Sequence, residues 1–295
     1  MTPAARIAAA ADILDRVLAG ASAEQCLTNW ARQSRFAGSG DRAAVRDLVY
    51  DAVRRRRSLS WIGGAETGRG LMIGHLRAAG QDPTDVFTGA GYAPALLSPE
   101  EMILPHPIEV SPVPVRYDVP DWLWPMIVAD FGEDAAPVLA TLQSRAPVFL
   151  RVNAAKTSPE AAIRSLATDG IGARQSPLSP TALVVTENPR RVQNSAAYRD
   201  GLVELQDAAS QAVVDRLLAF AKGASVLDYC AGGGGKALHL AAGGALRVVA
   251  HDADPERMRD IPARAERGGH SIEIADRPVG LFDCVLTDVP CSGSG

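Results

Sequence analysis

Strand-end acids and a run of glycines supply the chemistry-bearing pattern of this chain. The stretch from Ser225 to Leu240 opens with a short apolar run ending in Asp228. Tyr229, Cys230 and Ala231 follow, then four consecutive glycines, Gly232, Gly233, Gly234 and Gly235, and then Lys236. That order reads as strand, tight turn and helix, the place where an open α/β sheet holds a nucleotide-like ligand. Glycines there let the backbone turn sharply and let a ligand approach main-chain N–H groups. Downstream, Asp252 closes the apolar run Leu246–His251, Asp276 follows Ser271–Ala275, and Asp288 follows Phe282–Thr287.

Three ligands compete for this turn. A P-loop needs a glycine where Cys230 stands and a serine or threonine where Ala237 stands, so its phosphate and Mg²⁺ contacts are missing. A dinucleotide fingerprint would place its third glycine at Ala237, a substitution that pattern tolerates. The sharper objection is Asp228, whose carboxylate would repel a pyrophosphate. S-adenosylmethionine has a sulfonium and an ammonium and no phosphate. Asp228 then attracts the methionine end, Asp252 is placed to accept from ribose hydroxyls, and Asp276 to receive the adenine amino group. S-adenosylmethionine is therefore the expected cofactor. Taken singly, each acid also fits a helix cap or a surface carboxylate, and Asp254 before Pro255 reads as such a cap.

The elements that must position these residues alternate regularly. Strands are expected at 225–228, 246–251, 271–275 and 282–287, with helices from 237 and over 255–267 despite Pro262. Such alternation argues for a parallel, doubly wound sheet. Only 277–281 joins the third strand to the fourth, short for a parallel crossover. Upstream, strands at 147–153 and 181–185 with a helix from Ser158 to about Asp169 make a small α+β unit. Residues 4 to about 90 read as all-helical, with Ile7, Ala11, Leu14 and Leu18 at helical spacing. A third helix there carries Arg42 and Arg46 and ends in Arg54, Arg55, Arg56 and Arg57. Four arginines exceed what a helix end needs, so an RNA-phosphate contact competes with a solvated helix end. Six prolines between 91 and 118 mark a linker or extended segment. Trp122 and Trp124 read as packing residues.

The 295 residues are enough for two domains or three small ones, and 47% hydrophobic content supports a buried core. The net charge of −4 means that nucleic-acid binding must rest on a local basic face. Cys26, Cys230, Cys284 and Cys291 form no CxxC pair, so neither metal site nor disulfide framework is expected. Reduced thiols and a cytoplasmic location fit best. Residues 1–23 read as an amphipathic helix rather than a leader because Asp12 and Asp15 interrupt the apolar stretch. No membrane span is expected.

Asp288-Val289-Pro290-Cys291-Ser292-Gly293-Ser294-Gly295, together with Asp228-Tyr229-Cys230-Ala231-Gly232-Gly233-Gly234-Gly235-Lys236, resembles the RsmB/Nop/Sun (Fmu-like) family of RNA cytosine-5 methyltransferases. That family reads D-x-C-A-A-P-G-G-K-T at its loop and D-A-P-C-S-G-x-G after its fourth strand. Leu205-Gln206-Asp207-Ala208-Ala209-Ser210-Gln211 and Leu150-Arg151-Val152-Asn153 resemble further family motifs, and the N-terminal helices resemble a NusB-type RNA-binding domain. The resemblance implies an all-α NusB-like domain with a Pro-rich linker (1–118), a small RNA-contacting α+β unit (119–200) that includes Arg151, and a Rossmann-like class I methyltransferase domain (201–295). Carbon 5 of cytosine is a weak nucleophile until a cysteine thiolate adds to carbon 6. The resemblance implies that Cys291 assists product release. It also implies that Asp288 sits between cofactor and base, and that Lys236 and the Cys230–Gly235 backbone hold the methionine part. The partner implied is RNA, ribosomal RNA first, and the complete protein is expected to be a monomer.

The attacking cysteine of the family lies in a T-C-S motif beyond the fourth strand, which this sequence does not reach. The expectation is therefore a domain truncated after its fourth strand: a fragment, a truncated frame or a degenerate copy, catalytically incomplete and with an unpaired strand edge. Four glycines in place of A-P-G-G also predict a looser loop. The competing reading is a non-catalytic RNA-binding or ribosome-assembly protein.

Overall fold

The computed structural model describes residues 1–103 and 107–289; Cys291 lies outside them. The chain divides into two compact units, Met1–Ala146 and Pro147–Gly295.

The first unit is helical. Helices Pro3–Leu18, Ala23–Gln33, Ser39–Arg54, Arg56–Gly63 and Gly68–Ala78 enclose one core. Their starts follow from capping chemistry: the Thr2 hydroxyl accepts from Ala5 N–H, with Pro3 at the first helical position. Ile7, Leu14, Val45, Val49, Leu59 and Met72 are buried on the facing stripes. The arginine run is not one helix end. Arg55, at φ −113° and ψ 30°, breaks the third helix, and a fourth begins at Arg56. The proline-rich stretch is irregular but includes the short turns of helix Pro99–Met102 and Val113–Arg116. Trp124 opens helix Trp124–Phe131 and stacks on Tyr117 with ring centroids 6.2 Å apart, whereas Trp122 is exposed. No helix among the described residues is long and apolar enough to cross a membrane.

The second unit holds two four-stranded sheets. Strands β1 (Phe149–Val152), β2 (Ala173–Gln175), β3 (Ala182–Val185) and β4 (Val203–Leu205) form an antiparallel sheet in the order β2-β3-β1-β4. Leu150 pairs with Leu183 on one side and Leu205 on the other, and helix Pro159–Thr168 adds Ala162 and Leu166 to the core. Helix Ala208–Ala221, capped by the Asp207 carboxylate at Ala209 N–H (2.8 Å), leads to the second sheet.

That sheet is parallel: β5 (Ser225–Asp228), β6 (Arg247–Ala250), β7 (Glu273–Ile274) and β8 (Cys284–Leu286), in the order β7-β6-β5-β8. Strand order reverses between β5 and β8. In a doubly wound sheet this opens a ligand crevice at the carboxyl ends of those strands. Helix Gly235–Ala242 joins β5 to β6. The helix expected over 255–267 is two pieces, a 3₁₀ turn Pro255–Met258 and helix Ile261–Gly268, with Pro262 in the first turn, where its missing N–H costs nothing. The connection from β7 to β8, residues 275–283, contains no helix. It needs none: three strand spacings are about 14 Å, and nine extended residues reach roughly 30 Å. Cys284, in β8 at the edge of the sheet, is half-buried and packs against this unit's core.

Candidate functional site

Asp228 ends β5 with 1% of its surface exposed. Neither carboxylate oxygen has a hydrogen-bond partner among the described residues. Burial, chiefly, pushes its carboxyl up to about 6; the Lys236 ammonium and the nearby Ala237 N–H, which is not placed for a regular hydrogen bond, pull the other way, and the Asp288 and Asp252 carboxylates add to the rise. A carboxylate left without partners in a crevice opposes folding unless it serves a ligand.

The turn beyond it is tied down on both sides. Tyr229 N–H donates to Leu286 O (2.9 Å) on the β8 side, and Ala231 N–H to His251 O (2.8 Å) on the β6 side. Asp252, also buried, accepts Gly232 N–H at Oδ2 (2.9 Å) and Asp254 N–H at Oδ1 (3.0 Å), and pairs with the Arg257 guanidinium at 3.2 Å. Burial alone would raise the Asp252 carboxyl, but the two N–H donors and Arg257 together hold it below the ordinary value. The loop is therefore pinned to the end of β6, not loose as its four glycines suggest. Two of them are demanded by the backbone. Gly232 lies at φ 51° and Gly234 at φ 80°, and a Cβ on Gly234 would stand 2.7 Å from Ile261 Cγ1. The Gly233 carbonyl accepts from Arg264, and nothing lies within 4 Å of a Cβ placed on Gly235.

Lys236 crosses the crevice to pair with Asp288, two residues past β8. Cys230 is half-buried in the turn. Asp276 is exposed, one residue beyond Ala275, whose carbonyl accepts from His251 Nδ1 at 2.9 Å. The His251 ring lies tilted at 43° against Tyr229, with centroids 4.7 Å apart. The structure thus gathers Asp228, the Cys230–Lys236 turn, Asp252 and Asp288 at one end of the parallel sheet, with Asp276 following the neighbouring strand.

Arg151 does not reach RNA from here. It sits in β1, opposite Ala182 and Glu204, only 3% exposed. Burial lowers its guanidinium to about 10, the Glu204 carboxylate opposing, and its Nε and Nη1 lack partners among the described residues. The face of the sheet that carries Arg151 is covered, with Glu204 of β4 and Asp215 of helix Ala208–Ala221 close enough to act on its charge, and this burial overrides the expected RNA contact. Glu204 in turn holds Arg267 (2.7 Å) and Arg264 (3.3 Å), and Arg264 reaches Gly233. Glu204, His251, Arg257 and Arg264 carried no signal in the sequence, because their partners lie in other elements.

In the helical unit the four consecutive arginines are each spoken for. Arg54 and Arg55 pair with Asp51 at 3.7 and 3.6 Å, Arg56 with Glu66, and Arg57 with Asp121 at 2.8 Å.

Two family models match. One, described as a ferredoxin-like domain of RsmF/B-like methyltransferases, covers residues 119–193, and one described as 16S rRNA methyltransferase RsmB/F covers 215–295. The chain belongs to the RsmB/F family of methyltransferases. Relatives of the same family include Ribosomal RNA small subunit methyltransferase B of Xanthomonas campestris pv. campestris, 34% identical over 188 residues, which are 60% of this chain and 43% of the relative. The protein of that name from Sodalis glossinidius is 34% identical over 191 residues, 61% of this chain and 44% of the relative. The matches thus span less than half the length of these curated relatives. The crystal structure of PH0851 is similar at a TM-score of 0.69, with 21% identity over 99% of this chain and 75% of that one. A methyltransferase homolog from Pyrococcus horikoshii is similar at 0.53, with 24% identity over 62% of this chain and 63% of that one. These likenesses show the fold, and with the family model over 215–295 they match the parallel sheet to a Rossmann-like methyltransferase domain.

Proposed function

We propose that the crevice at the ends of β5, β6 and β8 binds S-adenosylmethionine and that the family chemistry it serves is methylation of carbon 5 of a cytidine in ribosomal RNA, in the cytoplasm. The observation that carries this reading is the partnerless Asp228 carboxylate, buried beside Asp252 and Asp288. Such a concentration of negative charge repels phosphate and suits a cation. When bound, the cofactor supplies an electrophilic methyl group on a positively charged sulfur.

The chain's own residues have separable tasks. Asp228 offers charge to the cationic end, and cation binding favours its ionised form. Asp252 still has lone pairs free after accepting two N–H groups and Arg257, so it fixes the loop and retains capacity for a hydroxyl. Arg257, half-exposed, can withdraw to make that room. Lys236 holds Asp288 toward the crevice. Asp276 is assigned the adenine amino group. Cys291 follows Asp288 by three positions in the sequence and is the thiol assigned to product release.

Equilibrium dialysis with radiolabelled S-adenosylmethionine tests this reading. Retention by the chain should be saturable and competed by S-adenosylhomocysteine but not by ATP or NAD. Competition by ATP, or no retention at all, overturns it.

A further inference from the structure

The helical unit carries a second basic surface that is not a run in the sequence. Arg32 and Arg35, at the end of and just beyond helix Ala23–Gln33, converge with Arg42 and Arg46 of helix Ser39–Arg54 on a groove of about 620 Å³ floored by Leu27 and Trp30. Arg42 and Arg46 are one helical turn apart on the same face. All four arginines are exposed. Arg46 forms a bidentate pair with Glu24 (3.0 and 3.1 Å). Arg32, Arg35 and Arg42 have no ion-pair or hydrogen-bond partner among the described residues, in contrast to the paired Arg54–Arg57. Trp30 also borders a second cavity, of about 540 Å³, with Phe36 and Tyr92 in its wall. Phe36 is 76% and Tyr92 88% exposed, and no ring stacks on either among the described residues.

From this juxtaposition we infer that the face formed by Arg32, Arg35 and Arg42 with Trp30, Phe36 and Tyr92 is a docking site for single-stranded RNA. The guanidinium groups take successive phosphates, and an unstacked base enters the aromatic cavity. Unpaired arginines next to open aromatic faces are what single-strand binding uses: charge follows the backbone and rings receive bases without sequence preference. An acidic peptide would satisfy the arginines but leave the rings unused. The inference rests on the reading that this chain acts on RNA, but it concerns a different unit from the cofactor crevice.

The test is fluorescence anisotropy of the full 295-residue chain with a short unstructured RNA oligonucleotide across a salt series. Combined Arg32→Gln, Arg35→Gln and Arg42→Gln should weaken binding and flatten the log–log salt slope by about 2, at about 0.7 per single-strand phosphate contact. Combined Phe36→Ala and Tyr92→Ala should weaken binding about tenfold or more with the slope unchanged. All five side chains are exposed, and circular dichroism checks that the variants fold. An unchanged slope in the arginine variant, with the loss appearing instead in Arg54→Gln with Arg56→Gln, overturns the site and leaves RNA binding standing. Competition by polyglutamate as effective as by RNA assigns the groove to acidic peptides and overturns the inference. Wild-type chain that ignores RNA overturns both the site and the RNA half of the functional reading, while cofactor retention in the same sample still reports on the crevice.

Discussion

The carboxyl ends of β5 and β6 each carry a buried aspartate, and the protein shifts the two in opposite directions. Asp252 receives two backbone N–H donors and a guanidinium, which outweigh its burial and keep it ionised. Asp228 has no regular hydrogen bond among the described residues, only the weak pull of the nearby Ala237 N–H, and is raised to about 6 by burial and by its acidic neighbours. Their spacing along the parallel pair is short, since Asp228 is in register with Ala250, two residues before Asp252. The difference teaches how the site divides its labour. One acid is consumed in shaping the turn, and the other is left unsatisfied at a cost in stability that a cationic ligand can recover.

Substitutions should separate the two roles. Asp252→Ala has the largest expected effect. It strands two donors that a carboxylate now satisfies, so urea denaturation should show a loss of about 3–4 kcal/mol, at roughly 1–3 kcal/mol per unsatisfied buried group. Cofactor binding should disappear with the turn. Gly234→Ala comes next. A side chain at φ 80° that also meets Ile261 should cost roughly 2 kcal/mol. Gly235→Ala, with open space at its Cβ, should leave stability within about 0.5 kcal/mol, a pairing that tests whether the glycines act singly.

Asp228→Asn should move stability the other way. The carboxyl titrates near 3.8 when unfolded and at about 6 when folded, so folding favours its protonated form. Its penalty is absent below 3.8, grows as pH rises through that window, and is complete above about 6. Two pK units amount to at most about 3 kcal/mol. An amide in the same place still lacks partners, so a gain of about 1–2 kcal/mol above pH 7 is expected, together with loss of this component of the pH profile. Asp252 has the opposite sign, since its lowered value contributes stability above the unfolded pKa that is lost as pH falls through the folded one. Smallest of all, Arg257→Ala should cost under about 1 kcal/mol, because the pair is open to solvent on the arginine side. If Arg257→Ala matched Asp252→Ala, the loop would be held by charge rather than by the backbone donors.

The strand, turn and helix around 225–242 were legible because each is a local pattern: an apolar run, glycines and then helical periodicity. Asp228 and Asp252 sit at their strand ends for the same reason. What the sequence hid depends on partners far along the chain. The Arg54–Arg57 run looked like one basic patch, yet Asp51, Glu66 and Asp121 each neutralise part of it. Arg151 looked available because a strand pattern does not say what covers the face its side chain points to; here Glu204 of β4 and Asp215 of helix Ala208–Ala221 lie near its charge and it is buried. Arg32 and Arg35 gave no signal, and Arg42 was legible only as part of its own helix, since only the packing of two helices brings the three to one groove. The β7–β8 connection looked short for a parallel crossover and is a crossover without a helix.

The most direct measurement is calorimetric titration of wild-type chain and Asp228→Asn with S-adenosylmethionine and with S-adenosylhomocysteine, which lacks the sulfonium charge, above the pH at which Asp228 ionises. If Asp228 is kept for the cation, wild type binds both ligands. Asp228→Asn then loses about tenfold for S-adenosylmethionine, the equivalent of roughly 1.4 kcal/mol, and much less for S-adenosylhomocysteine. Equal losses for the two ligands, or a wild-type chain that binds neither, would contradict the account.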